Sequence, residues 1–211
     1  MSFIYAIFFI FGIFYLIRYR LNLKKAAEMT DRAIYPQDQH DFSSILIPTE
    51  WKEMQPLMKN TGTYQLVKWG TVGVIIFFAI LFGILIFTDW LGSQLLSFAY
   101  FFFLLINMVK HKGNLYLLPK GIILNSRYYS LNQIASYQAE KIIRWHELYG
   151  LHSRVDHGYK LTFKIKNQLI QPHEIVIEDR EHIEKVISVL DDLGIKGILK
   201  ADKESKQMIN G

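Results

Sequence analysis

The sequence predicts an α+β membrane protein. It has three transmembrane helices and a cytoplasmic antiparallel β domain, a bent sheet closed by a C-terminal helix. Three observations carry this. The chain holds 24 Lys and Arg and 19 Asp and Glu, yet residues 1–17 carry none of them and Asp89 is the one charge between Lys68 and Lys110. From Asn114 the apolar residues recur with period two. From Ile183 to Leu193 they recur with helical spacing. The mean hydropathy of +0.13 therefore averages two unlike materials. That excludes an ordinary soluble globule and a chain that is membrane throughout. The absence of cysteine excludes disulfide frameworks, thiol catalysis, Cys-ligated zinc and iron–sulfur clusters.

The first helix is expected over 1–21. Its uncharged run, residues 1–17, is at the short end for crossing, since about 20 apolar residues span the hydrocarbon. Arg18 can add a turn by snorkelling. A cleaved signal peptide would need positive charge before the run, whereas Arg18, Arg20, Lys24 and Lys25 follow it. The next two helices are expected over 69–88 and 90–109, a hairpin within 67–112 that turns at Asp89. Basic residues cluster at 18–25, at Lys68 and at Lys110–Lys112. The positive-inside rule then puts the N-terminus outside and residues 22–66 and 113–211 inside. Trp69 and Trp90 are expected as interfacial anchors at the two ends of the second helix. No charge falls mid-membrane, so an ion or proton pathway has no support. Ala79 and Gly83, like Ser93 and Ser97, have small-xxx-small spacing, which close packing within the hairpin explains.

The connecting segment, 22–66, is polar and punctuated by Pro36, Pro48 and Pro56. Thr49 is expected to cap a short helix over Glu50–Lys59. His40 between Asp38 and Asp41 reads as a solvated turn rather than a metal site. Whether this segment packs on the C-terminal domain stays open.

The cytoplasmic domain is expected over 113–198. Leu115–Leu118, a turn at Pro119-Lys120-Gly121, and Ile122–Leu124 make a hairpin. Gln133–Gln138 reads as a strand. Tyr159–Lys166 alternates, with Tyr, Leu, Phe and Ile on one side and Lys and Thr on the other. Glu174–Glu178 is a further strand. Asp179 is placed to cap a helix whose stripe is Ile183, Val186, Ile187, Leu190 and Leu193, and Gly194 stops it. The tail, 199–211, is polar and expected to be disordered. The strand count across 143–158 stays open.

The hairpin Leu115–Ile122 directly after an apolar helix, the segment Leu131–Tyr137, and the helix ending Leu193-Gly194-Ile195 resemble bacterial membrane-anchored pleckstrin-homology-like (PH-like) domain proteins. The resemblance covers about residues 113–198. It implies a binding or scaffolding domain at a bacterial plasma membrane and names no catalytic residues or cofactor.

The densest polar cluster is Arg144–His157, with His146, His152 and His157. An HExxH zinc site would need His at 150, where Gly150 stands. Ser153, Asp156 and His157 are too close in sequence for a triad, and no nucleophile elbow or phosphate loop is present. The sequence therefore predicts no enzyme, no metal site and no cofactor. Over 110–166, ten Lys and Arg stand against three acids, Glu140, Glu147 and Asp156. Lys110, Lys112, Lys160, Lys164 and Lys166 form the candidate face for anionic lipid or a partner. Nucleic-acid binding is excluded, because no recognition module appears. The expected partners are the bilayer and a membrane-protein partner or a second copy of the chain. The expected function is a non-catalytic multi-pass protein of the plasma membrane that presents its cytoplasmic domain to a protein or to lipid headgroups. Two alternatives stand beside it: an accessory subunit of a transporter or envelope-synthesis complex, and a membrane enzyme using the His146–His157 region.

Overall fold

A computed structural model describes residues 2–47, 51–87, 100, 103–105, 114–168 and 174–200. The chain divides into two units: Met1–Glu28 with Leu57–His111, and Met29–Pro56 with Lys112–Gly211.

The first unit holds α1 (Ser2–Met29) and α3 (Gly62–Phe87). Leu16 and Phe78 are its buried centre, packed with Val74, Ile75, Leu81 and Leu105. Lys59 pairs with Glu28 at 2.9 Å. Thr71, a buried hydroxyl in an apolar helix, donates to the Val67 carbonyl one turn back at 2.6 Å, so it needs no other partner. Large apolar side chains point outward from both helices, among them Phe11, Phe14, Leu66, Trp69, Ile76 and Ile80.

Three transmembrane helices are not what the structure shows. Among the described residues, one stretch is long and apolar enough to cross a membrane, Tyr64–Leu81 within α3. The first expected helix has only residues 1–17 before Arg18, Arg20, Lys24 and Lys25 accumulate in the same helix. The third, 90–109, lies mostly outside the described residues. The second begins at Gly62 rather than at 69, because Thr61 and Gly62 start the helix ahead of the apolar run and Thr61 Oγ1 receives the Tyr64 N–H at 3.4 Å.

The second unit is built around two sheets. The larger has six strands in the order β2-β1-β8-β7-β6-β9. They are β1 (Ile45–Ile47), β2 (Lys52–Glu53), β6 (Ile134–Lys141), β7 (Tyr159–Ile165), β8 (Ile175–Ile177) and β9 (Gly197–Lys200). The smaller is a meander of β3 (Leu115–Leu118), β4 (Gly121–Leu124) and β5 (Arg127–Ser130). The turn from β4 to β5 is Asn125-Ser126, both at positive φ, the pattern of a two-residue hairpin. Buried Asn114 clamps it by accepting the Ser126 N–H at 2.6 Å. At Gly121 a Cβ would stand 2.1 Å from the Tyr129 carbonyl oxygen, so only glycine fits this close crossing of β4 and β5.

The register gives the large sheet two different faces. Ile45, Ile177, Ile175, Leu161, Phe163, Ile165, Tyr137 and Ala139 share one face, all buried. Helix α4 (Arg180–Asp192) buries Ile183, Val186 and Leu190 and touches β8 and β9. Leu46 and Val176 lie on the opposite face. There the loop 142–158 folds over them, and Ile142, Leu148 and Val155 make a second small core with Trp51 at its margin.

Two further expectations change. The sheet is mixed rather than antiparallel, because the chain does not end with the helix. Gly194, at φ +72°, reverses it, and β9 returns parallel to β6. Gly197 makes that return fit, since a Cβ there would lie 2.4 Å from the Tyr137 ring. The helix expected over Glu50–Lys59 is absent across its described residues. Lys52 and Glu53 instead pair with Ile47 and Leu46, so cross-strand pairing outweighs a weak local helix signal.

Segment 30–56 therefore belongs to the same fold as the C-terminal residues. Ile45 and Leu46 pair with Ile177 and Val176, and Tyr35 bridges to Leu117. The apolar segment is an insertion in the sequence of a single folded unit.

Candidate functional site

Residues Lys110, Lys112 and Trp90 lie outside the described residues. Trp69 is exposed on α3, with Lys68 Nζ 5.3 Å from its ring centroid. Lys164 and Lys166 are exposed at the end of β7. Lys160 is different. Its side chain is only 14% exposed and is held by Glu147 and, at 2.7 Å, by Glu174. Burial alone would lower its pKa, but the bonds to the two carboxylates outweigh burial and raise it. Its charge is spent inside the fold.

Two of the three histidines in the 142–158 loop accept backbone N–H groups of the loop itself. His146 Nε2 lies 3.2 Å from Glu140 Oε1, and its Nδ1 accepts the Leu148 N–H at 3.0 Å. His152 Nδ1 accepts the Arg154 N–H at 3.3 Å. His157 is exposed. Among the described residues, no group of three His, Cys, Asp or Glu side chains is placed to hold a metal ion.

Two constellations absent from the sequence reading fasten residues 35–53 to the rest of the unit. The first is Arg154. Its Nε donates to both Glu178 oxygens at 2.9 and 2.8 Å, its Nη1 to Glu53 Oε1 at 2.9 Å, and its Nη2 to the Ser43 carbonyl at 3.0 Å and to Glu178. One guanidinium thus joins β2, helix α2 (Gln39–Ser44), the loop and the exit of β8. The hydrogen bonds to Glu178 are the largest cause of its raised pKa.

The second lies between α2 and α4. Asp41 is 1% exposed, and a buried carboxylate must be paired. It accepts from Lys185 Nζ at 2.8 and 3.1 Å and from the Gln37 N–H at 2.9 Å. Asp38 caps α2 by accepting the Asp41 N–H at 2.8 Å, the main reason its pKa is lowered. Tyr35 shares a hydrogen bond with Ser44 at 3.2 Å, and burial pushes its pKa up. His40 and His182 stack at 4.6 Å, and a hydrogen bond joins His40 Nδ1 and His182 Nε2, 2.8 Å apart. Asp38 and Asp41 both have donors, and the arrangement fastens α2 to α4, while the buried His182 Nδ1 has no hydrogen-bond partner among the described residues and lies 3.7 Å from Asp179 Oδ2.

The third feature is exposure. Trp145 is 84% exposed and Leu151 54%, and Tyr149 stands beside them in sequence, on a loop otherwise held by its own small core. A tryptophan in a polar loop was visible in the sequence. Its exposure was not, because the inward residues of the loop follow no regular period.

No family model matches the chain, and no curated protein matches it at a significant level.

Proposed function

We propose that this chain is a membrane-attached, non-catalytic binding protein. It presents its α+β unit at the cytoplasmic face to a protein partner or to lipid headgroups. One observation carries this reading: an apolar helix is inserted between two segments that complete a single sheet. Strands β1 and β8 pair directly, so the inserted segment must leave and return on the same side of whatever it enters. The surroundings of α3 favour a bilayer. Only 22% of the apolar window Tyr64–Leu81 is buried within the protein, whereas the core helix of a soluble domain is largely covered. The basic cluster Arg18–Lys25, with Lys68 in the second turn of α3, fits the cytoplasmic side. Binding, rather than catalysis, fits a unit in which the buried Asp41 and the part-buried Lys160 and Arg154 are engaged in fastening its own segments.

Alkaline extraction of membranes containing the full chain tests the attachment. The protein is expected to stay in the membrane pellet and to dissolve only with detergent. Release into the alkaline supernatant would overturn the reading.

A further inference from the structure

We propose that the loop 142–158, between β6 and β7, is a docking element that seats Trp145 at the headgroup interface of an anionic leaflet. The inference rests on the membrane-attached reading above and names the ligand of the unit.

The loop divides its apolar residues between two tasks. Ile142, Leu148 and Val155 turn inward onto Leu46 and Val176. Trp145, Tyr149 and Leu151 stay outside. Successive turns hold the exposed set in place: His146 N–H to the Ile143 carbonyl at 2.8 Å, Tyr149 N–H to His146 at 2.9 Å, and Leu151 N–H to Leu148 at 3.4 Å. Arg154 and the small core fix the loop, so its backbone is already ordered before docking.

Charge selects the surface. The acids of this region are occupied internally: Glu140 by His146, Glu147 by Lys160, and Asp156 by the Gly150 N–H at 2.6 Å. Lys141 and Arg144 are exposed and make no ion pair among the described residues. Lys164 and Lys166 stand at the opposite end of β7, beside Ser136 and Gln133, and take no part. Exposed aromatic rings beside the exposed Lys141 and Arg144 match an anionic headgroup layer, where the indole buries its rings and leaves its N–H wet. Covalent linkage to the apolar helix raises the unit's effective concentration at a bilayer, so weak docking suffices.

The test uses the full chain in nanodiscs of phosphatidylcholine, with or without phosphatidylglycerol. The chain has four tryptophans. Substituting Trp51→Phe, Trp69→Phe and Trp90→Phe leaves Trp145 as the reporter. Headgroup-proximal brominated lipids are expected to quench it several-fold more in discs containing phosphatidylglycerol, with blue-shifted emission. A second measurement keeps all tryptophans. The chain lacks cysteine, so Tyr149→Cys carries the single polarity-sensitive probe, with Asp192→Cys as the control site on α4. The probe at 149 is expected to brighten with phosphatidylglycerol, and the control is not. Water-like emission at both sites, with the chain retained in the discs, overturns the docking while leaving membrane attachment standing. A shift at 149 that needs added solubilised membrane protein overturns it in favour of a protein partner. A chain that never enters the discs overturns both readings.

Discussion

Replacing Arg154 with alanine should loosen residues 43–53 while sparing the β3–β5 meander. The guanidinium is 32% exposed, and Glu178 and Glu53 are 27% and 43% exposed, so water replaces part of what is lost. The Glu53 bond then counts as a surface pair of about 0.5 kcal/mol. The bidentate pair to Glu178, taken as one, and the bond to the Ser43 carbonyl count about 0.8–1.2 kcal/mol each, roughly half the usual 1.5–3 kcal/mol for bonds to charged groups because water reaches all three partners. Together the loss is about 2–3 kcal/mol. If it falls on local opening, amide exchange in β1 and β2 should accelerate roughly 30- to 150-fold. Hydrogen–deuterium exchange of the full chain in detergent reads this directly. The reporters are the Trp51 N–H to the Ile47 carbonyl at 2.9 Å and the Met54 N–H to the Ile45 carbonyl at 2.8 Å. Unchanged exchange in residues 45–54 would refute the reasoning. So would equal acceleration in β4, because the arginine would then support the whole unit rather than this junction.

Three other outcomes follow from the same geometry. Lys185→Met strands the buried Asp41 carboxylate; Lys185 is 46% exposed, so the loss should be about 2 kcal/mol rather than the larger cost of a fully buried pair, seen as a lowered thermal midpoint of the full chain. Gly121→Ala forces β4 and β5 apart at the Tyr129 carbonyl and should lower stability by about 2–3 kcal/mol, with unchanged thermal unfolding contradicting the register. Burial, first of all, raises the pKa of Tyr35 and Tyr137, and at Tyr137 the bond to Asp191 at 2.6 Å adds to it. Their stabilising effect is thus present below the ordinary phenol value of about 10 and is lost as pH rises through the higher folded values. Absorbance titration should show a late phase that Tyr35→Phe with Tyr137→Phe removes, and no late phase would contradict their burial.

Local pattern made part of this fold legible. The stripe of α4, the alternation of β7 and the Pro119-Lys120-Gly121 turn are signals carried within one element, and each element stands where it was expected. Strand β5 went unread although Asn125-Ser126, between Leu124 and Arg127, is a two-residue hairpin signal. Strands β1 and β2 are too short to declare themselves. Three and two residues carry no period, and they are strands because β8 lies beside them. The fastening groups were illegible for the same reason. Arg154 meets Ser43 across 111 positions, and Lys185 meets Asp41 across 144. Lys160 read as part of an exposed basic face because alternation places it with Lys164, but nothing in sequence announced that Glu147 and Glu174 would close over it.

The central claim is that the apolar insertion interrupts one folded unit. A cysteine pair tests it most directly, because the native chain has none. Leu46 and Val176 are register partners on β1 and β8, and directly opposed antiparallel positions lie within disulfide reach. With Leu46→Cys and Val176→Cys in the full chain, mild oxidation followed by cleavage within 57–111 should leave the two fragments joined until a reductant is added. Fragments that separate without reductant, with both thiols free to alkylation, would contradict it.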